Sequence, residues 1–371
     1  IAQVPKDFLS VSSPDRTTVK LIIQIPCYNE AQTLPETVAD IPRQVDGIDV
    51  VEVLIIDDGS KDRTVDVARA IGVDHIIRNK RNIGLARSFR KGLDACLVRG
   101  ADIIVNTDGD NQYAGADIPK LVQPIVTGQA DMVIGDRETR KIPHFSPLKK
   151  FLQAVGSAVV RMLAGIHVPD TVSGFRALSR EAAIRINIVS SFSYTIETII
   201  QAGKRQLMVQ SVPVRTNPKT RESRLFKSIP HFIQNSLGTM VRMYAMYQPL
   251  RVFFYLGSVL TIIGVVPIMR FLFFYFTGDG QGHIQSLLLG GVLIILGFIT
   301  FMIGLVADLI SFNRQILEMT LERVRRMELD HFRTDATLGS DAIYTKQDER
   351  YEDHPLDGSA ARSDQHQGTS N

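Results

Sequence analysis

Two stretches of this chain constrain its fold more than any other feature. Residues 252–276 carry one charge, Arg270, and residues 286–310 carry one near their end, Asp308. About 20 predominantly apolar residues span a bilayer as a helix, so both are long enough to cross. A soluble fold would have to surround both with protein. Segments this long, apolar all round and rich in Phe, suit lipid better than a core. The connection at 277–285 has no Lys or Arg, whereas Arg242 and Arg251 precede the pair and Arg314, Arg323, Arg325 and Arg326 follow it. The positive-inside rule then places both termini on the cytoplasmic side and the short connection outside. Arg270, about a turn and a half from that connection, can snorkel outward.

The rest of the chain is of a different kind, and the mean hydropathy of +0.05 averages unlike parts. Residues 1–19 are polar, without an apolar core flanked by small residues, and read as an N-terminal extension rather than a secretory leader. Residues 331–371 hold eight acids against four bases and read as a disordered acidic tail. The net charge of +3 therefore conceals +7 ahead of that tail. The overall balance gives no reason to expect a nucleic-acid binder. Two cysteines are too few for a disulfide framework, which points to a reducing compartment.

Between residues 20 and 226 strand-like and helix-like segments alternate. Strands are expected at 21–25, 50–56, 75–77, 101–106 and 132–134, and helices at 31–41, 62–71, 84–99 and 118–127. Strands that are apolar throughout, separated by helices, predict an α/β fold with a mostly parallel, Rossmann-like sheet covered on both faces. Ligands of such sheets bind at the carboxyl ends of the strands.

Four polar signals fall at those ends: Pro26-Cys27-Tyr28-Asn29-Glu30, Asp57-Asp58-Gly59-Ser60, Thr107-Asp108-Gly109-Asp110 followed by Asn111 and Gln112, and Gly135-Asp136-Arg137. Singly, each is compatible with an ordinary turn or a helix cap. Together, on successive strand ends, they describe one site. Asp108 and Asp110, one residue apart across a glycine, can reach a single hard cation such as Mg²⁺ or Mn²⁺, which takes oxygen ligands and shares its shell with substrate phosphates. No Cys/His cluster suggests zinc, and no P-loop is present.

With these motifs in place, residues 20–226 resemble a family 2 glycosyltransferase of the GT-A fold. With the two apolar segments, the chain is similar to the polyprenyl-phosphate branch, which includes dolichol-phosphate mannosyltransferases and bacterial undecaprenyl-phosphate glycosyltransferases. The resemblance implies that Pro26, Tyr28, Glu30 and Asp58 hold the nucleotide, with Asp108 helping. It implies that Asp108 and Asp110 carry the metal and the donor diphosphate. Gln112, Arg137, Lys150 and Ser173 would serve the acceptor phosphate, and Asp170, Glu197 and Asp110 the catalytic centre. Many relatives have Gly-x-Ser-Lys before the membrane; here it is Arg221-Glu222-Ser223-Arg224, so Arg221 and Arg224 stand in that loop. The resemblance also implies an inverting reaction and a homo-oligomer, a tetramer in relatives.

A lipid phosphate is already anionic at neutral pH, so what it needs is positive charge rather than a strong base. Residues 137–161 and 204–227 are rich in Lys and Arg, which suits an anionic acceptor or anionic headgroups. Residues 147–163 and 226–246 mix apolar and basic residues and can lie in the interface. The expected layout is an extension at 1–19, a catalytic domain at 20–226, a juxtamembrane amphipathic helix at 227–250, two transmembrane helices in 251–312, a cytoplasmic helix at 313–330 and the tail. The expected function is hexose transfer from a UDP- or GDP-sugar to undecaprenyl or dolichyl phosphate on the cytoplasmic face. A diacylglycerol acceptor shares every donor motif and stays open, as does a non-catalytic nucleotide-sugar-binding membrane protein. A processive synthase is disfavoured, because the chain has no Trp for the Gln-x-x-Arg-Trp motif of those enzymes.

Overall fold

The computed structural model describes residues 18–138, 160–162, 164–188, 194–218, 248–278 and 283–338. Seven strands form one sheet: β1 (Lys20–Cys27), β2 (Val50–Asp57), β3 (His75–Arg78), β4 (Ile103–Asn106), β5 (Met132–Asp136), β6 (Arg176–Ser179) and β7 (Val209–Pro213). Their order is β3-β2-β1-β4-β6-β5-β7. All neighbours are parallel except β6, which runs antiparallel to both β4 and β5. The central strands are apolar without alternation because both faces are covered.

Successive side chains of each strand feed opposite layers. Ile22, Leu54, Ile56 and Ile104 join one core, with Phe89 and Leu93 of α3 (Leu85–Val98). The same core includes α5 (Arg180–Arg185) and α6 (Tyr194–Lys204). Leu21, Ile23, Ile25 and Val105 join the other, beneath α1 (Leu34–Ala39), α2 (Thr64–Ala70) and α4 (Ile118–Val126). Each fully buried Leu, Ile or Phe contributes about 1.5–3 kcal/mol, so these two layers fix the strand ends that carry the site. Helix α1 begins later than the 31–41 pattern suggests, because the Glu30 carbonyl accepts from the amides of Thr33 and Leu34 in a preceding turn.

Two helices are long and apolar enough to cross a membrane: α7 (Pro249–Phe276) and α8 (Ile284–Leu338). They pack through glycines. A Cβ on Gly264 would stand 3.0 Å from the Gly290 carbonyl oxygen, and one on Gly297 3.0 Å from that of Gly257. Small residues let the two backbones approach this closely. The helix α8 is continuous for 55 residues. The expected cytoplasmic helix at 313–330 is therefore the far half of α8, and the expected tail begins inside it: the helix passes residue 331 and ends at Leu338.

That far half lies against the sheet domain. Arg205 pairs with Glu318 at 3.0 Å and Glu322 at 3.7 Å, and Arg325 pairs with Asp94 at 3.1 Å. Arg325 also donates to the Ile184 carbonyl at 3.0 Å, and Leu329 is buried in the α3–α6 core. The amphipathic stretches expected at 226–246 and, apart from residues 160–162, at 147–163 lie outside the described residues, as do residues 1–17 and 339–371.

Candidate active site

The chain leaves β4 through Thr107 into the Asp108-Gly109-Asp110 turn, and the turn is pinned from three sides. The Gly109 carbonyl accepts from the hydroxyls of Thr33 (2.7 Å) and Thr37 (3.2 Å) at the start of α1. A Cβ on Gly109 would meet Cys27 Sγ at 3.0 Å and Glu30 Cγ at 3.2 Å, so only glycine lets this turn cross the end of β1. Asn111 follows with φ of 55°, in the left-handed region that Asn tolerates. The Gln112 amide donates to Asp110 Oδ2 at 2.9 Å and its backbone N–H to Oδ1 at 3.2 Å. Gln112 thus holds Asp110 in place.

The segment after β7 closes on the same loop. Asn217 donates its backbone N–H to the Gln112 carbonyl (2.9 Å) and its side-chain amide to the Asn111 carbonyl (3.0 Å). Arg215 is bound to the buried Asp117 at 2.8 Å, and Lys120 reaches the same carboxylate at 2.9 Å. Burial opposes ionisation of Asp117, but these hydrogen bonds outweigh it and hold its carboxyl down at about 2.

The loop leading into β6 lies under Asp108. The Gly174 carbonyl accepts from Asn106 at 2.8 Å, and the Gly174 N–H donates to the Tyr113 hydroxyl at 3.0 Å. Asn106 also donates to the Tyr194 hydroxyl (3.0 Å) and accepts from Gln24 (3.0 Å), a buried polar chain crossing the sheet. Asp170 and Arg137 form a bidentate pair at 2.7 and 3.0 Å, with Asp170 only 1% exposed. The pair ties the end of β5 to the 170–175 loop.

Arg176, the first residue of β6, is fully buried. Its guanidinium donates to the carbonyls of Ser173 (2.7 Å), Thr195 (2.8 Å) and Thr171 (3.2 Å), and to the Thr198 hydroxyl. Burial pulls it down to about 10, still a cation at neutral pH. The sequence reading missed it; its only signal was an Arg opening an otherwise apolar strand. Burial and the carboxylates of Asp110 and Glu30 push Asp108 up to about 7, against the pull of Arg137 and Arg176. Carboxylates crowded in a partly dry site gain from a divalent cation.

At the β1 and β2 ends the nucleotide-side residues form a second network. Asn29 takes φ of 58°, its N–H donates to Ser60 Oγ (2.8 Å), and the Glu30 N–H donates to Thr64 Oγ1 (2.9 Å). Pro26 is buried at the end of β1 and Tyr28 is half-buried beside it. Asp58 accepts from Asn79 (3.0 Å), Ile83 N–H (2.9 Å) and Gly84 N–H (3.0 Å), so its carboxylate secures the 79–84 loop. That loop was also missed; its basic residues Lys80 and Arg81, and Arg87 in the first turn of α3, are exposed.

Two other expected residues are buried. Glu197 is buried on α6 and accepts from Gln201 at 3.3 Å. Ser173 is fully buried, and its hydroxyl has no hydrogen-bond partner among the described residues. Lys150, Arg221 and Arg224 lie outside the described residues. Among the described residues, no three His, Cys, Asp or Glu side chains form a closed metal cage. Two carboxylate donors at an open turn instead suit a hard cation that completes its shell with substrate phosphates.

The family model for glycosyl transferase family 2 matches residues 22–186, which hold all four strand-end motifs. The chain is 30% identical over 205 residues to the dolichyl-phosphate hexose transferase of Haloferax volcanii, covering 55% of this chain and 86% of that one. It belongs to glycosyl transferase family 2. It is also 29% identical over 216 residues to the UDP-N-acetylglucosamine–dolichyl-phosphate N-acetylglucosaminyltransferase of Methanococcus voltae, covering 52% of this chain and 83% of that one. Among solved structures, glucosyl-3-phosphoglycerate synthase of Mycobacterium tuberculosis is similar at a TM-score of 0.49 and 20% identity, over 61% of this chain and 80% of that one. The sheet described above is the GT-A fold of this glycosyltransferase family, followed here by two apolar helices.

Proposed function

We propose that this glycosyltransferase moves a hexose from a nucleotide sugar to a polyprenyl phosphate at the cytoplasmic face of a membrane, with α7 and α8 spanning the bilayer. The observation that carries the reading is the crowded Asp108/Asp110 pair at the end of β4, in a chain whose sheet domain is bonded to an apolar helix. The relatives named for dolichyl phosphate support the acceptor.

In this reading Pro26, Tyr28, Glu30 and Asp58 shape the nucleotide site, Asp58 by holding the 79–84 loop. Asp108 and Asp110 would hold Mg²⁺ or Mn²⁺, which would supply positive charge to the leaving nucleoside diphosphate. Gln112 and Gly174 keep the two carboxylates in position. Arg137, aligned by Asp170, Ser173, and Lys150, Arg221 and Arg224 receive the acceptor phosphate. Its oxygen attacks the anomeric carbon, the bond to the diphosphate oxygen breaks, and the centre inverts. Because the attacking oxygen carries no proton, buried Glu197 acts on the donor sugar or its surroundings rather than as an obligatory base.

The test is nucleotide release from UDP- and GDP-sugars by the full chain, with and without undecaprenyl or dolichyl phosphate. Release that needs the lipid phosphate supports the reading and identifies the donor. Release that ignores it, or that follows added diacylglycerol instead, overturns the acceptor assignment.

A further inference from the structure

Tyr113 follows the carboxylate turn and belongs to none of the four strand-end motifs, yet it lies between two of them. Its backbone is zipped to the segment after β7. Tyr113 and Thr216 form an antiparallel bridge, the Ala114 N–H donates to the Arg215 carbonyl at 3.3 Å, and the Asn217 N–H donates to the Gln112 carbonyl at 2.9 Å. The residue is only 5% exposed, so this ribbon turns its side chain inward.

The two ends of that side chain meet different groups. The hydroxyl accepts from the Gly174 N–H at 3.0 Å. A Cβ on Gly174 would stand 3.1 and 3.2 Å from the Asp108 carboxylate oxygens, so the hydroxyl bears on that carboxylate through one backbone unit. The ring stacks on Phe175 with centroids 5.1 Å apart, and the Arg137 guanidinium carbon stands 6.0 Å from its centroid. A guanidinium at that distance is attracted to the negative face of the ring. Asp170 takes Arg137 Nε and Nη2 at 2.7 and 3.0 Å. Ring and carboxylate together hold the guanidinium and leave Nη1 as the donor that neither engages.

The transfer proposed for this chain brings two anions to one carbon, the diphosphate leaving as the acceptor phosphate arrives. Reacting atoms must stand about 3–3.5 Å apart and in line, and a misplacement of about 1 Å costs about a hundredfold in rate. The separation between the donor carboxylates and the acceptor cation therefore has to be held. We propose that Tyr113 is the positioning residue that holds it: the hydroxyl secures Asp108 through Gly174, and the ring secures Arg137. The proposal rests on reading Asp108 as a metal ligand and Arg137 as a cation for the acceptor phosphate.

Two substitutions separate the two ends. Tyr113→Phe removes the hydroxyl and keeps the ring; Tyr113→Leu removes both. Electron paramagnetic resonance of free Mn²⁺ over the full chain reads metal affinity without turnover. Nucleotide release against undecaprenyl or dolichyl phosphate concentration reads kcat and the acceptor KM. Tyr113→Phe should weaken Mn²⁺ binding and lower kcat, each about tenfold, with the acceptor KM within about twofold of wild type. Tyr113→Leu should add a rise of about fivefold in the acceptor KM. The Phe ring still packs on Phe175, so the first expectation stands whether or not the Leu chain folds. A lower melting temperature in both variants with Mn²⁺ affinity, kcat and KM unchanged makes Tyr113 purely structural and overturns the proposal. So does an acceptor KM that moves as far in Tyr113→Phe as in Tyr113→Leu. A wild-type chain whose release ignores the lipid overturns the acceptor reading itself. A wild-type chain that needs the lipid, with both variants matching it, overturns this proposal alone.

Discussion

Gly174 presses its backbone against the carboxylate of Asp108: a Cβ placed on it would stand 3.1 Å from Oδ2 and 3.2 Å from Oδ1. The same Cβ would stand 2.8 Å from the Tyr194 hydroxyl. Gly174→Ala must therefore displace either the carboxylate or the tyrosine. Overpacking of this kind costs about 1–3 kcal/mol. The expected result is a chain that still folds, with a melting temperature a few degrees lower, and that loses most of its transfer activity. Full activity would show that the position of Asp108 is not critical.

Gln112 holds both oxygens of Asp110, one through its side chain and one through its backbone. Removing such a supporting bond typically costs about 10–100-fold in metal affinity or activity. Gln112→Ala should shift a Mn²⁺ titration of the full chain by that factor, with little change in thermal stability. An unchanged titration would remove Gln112 from the metal side of the site.

Arg176 is a buried cation that donates to three carbonyls and a hydroxyl. Arg176→Met leaves the carbonyls of Ser173 and Thr171 without this donor, a loss on the order of 3 kcal/mol in total. Arg176→Lys should recover only part of it, because one ammonium cannot span the planar fork of a guanidinium. Thermal melts of both variants check this; wild-type stability in Arg176→Met would contradict it.

Glu52 illustrates a pH effect remote from the site. The hydrogen bond from His75, opposed by burial and reinforced by Lys20, holds its carboxyl at about 2 instead of 4.5. Its folded value is depressed, so its contribution to stability is present above 4.5 and is lost as pH falls toward 2. Glu52→Gln should flatten the fall in melting temperature across that window. An identical pH profile in the variant would show that the pair contributes nothing.

The contact between α8 and the sheet domain depends on Arg205, which reaches Glu318 and Glu322 together. Arg205→Ala should loosen the far half of α8 and speed proteolysis between residues 313 and 332 by roughly fivefold or more. Unchanged cleavage would mean that Arg325 and Leu329 suffice to hold it.

Most strands legible in the sequence were those buried on both faces, such as Leu21-Ile22-Ile23 and Val53-Leu54-Ile55-Ile56, because continuous apolar runs need no partner to be read; β3, half-buried at the sheet edge, was read from its short His75-Ile76-Ile77 run. Strand β6 was not legible. It is four residues long, opens with Arg176, and owes its place to antiparallel pairing with β4 and β5. Strand β7 is half-buried at the sheet edge and shows no clear pattern. The carboxylate pair was legible because glycine spacing encodes it locally. The supports of that pair were not, since Gly174, Asn217 and Thr33 reach it from distant parts of the chain. The same holds for α8, whose ionic partners lie more than a hundred residues away.

The central claim is that the sugar leaves the nucleotide for a lipid phosphate. Its most direct test is the lipid-extractable product formed from a radiolabelled nucleotide sugar by the purified chain with polyprenyl phosphate and Mg²⁺ or Mn²⁺, beside Asp110→Asn. The account predicts a glycosyl phosphopolyprenol of inverted anomeric configuration from the wild type, and a loss of about a hundredfold or more in the variant. Label appearing in a neutral glycolipid, or equal product from Asp110→Asn, would contradict it.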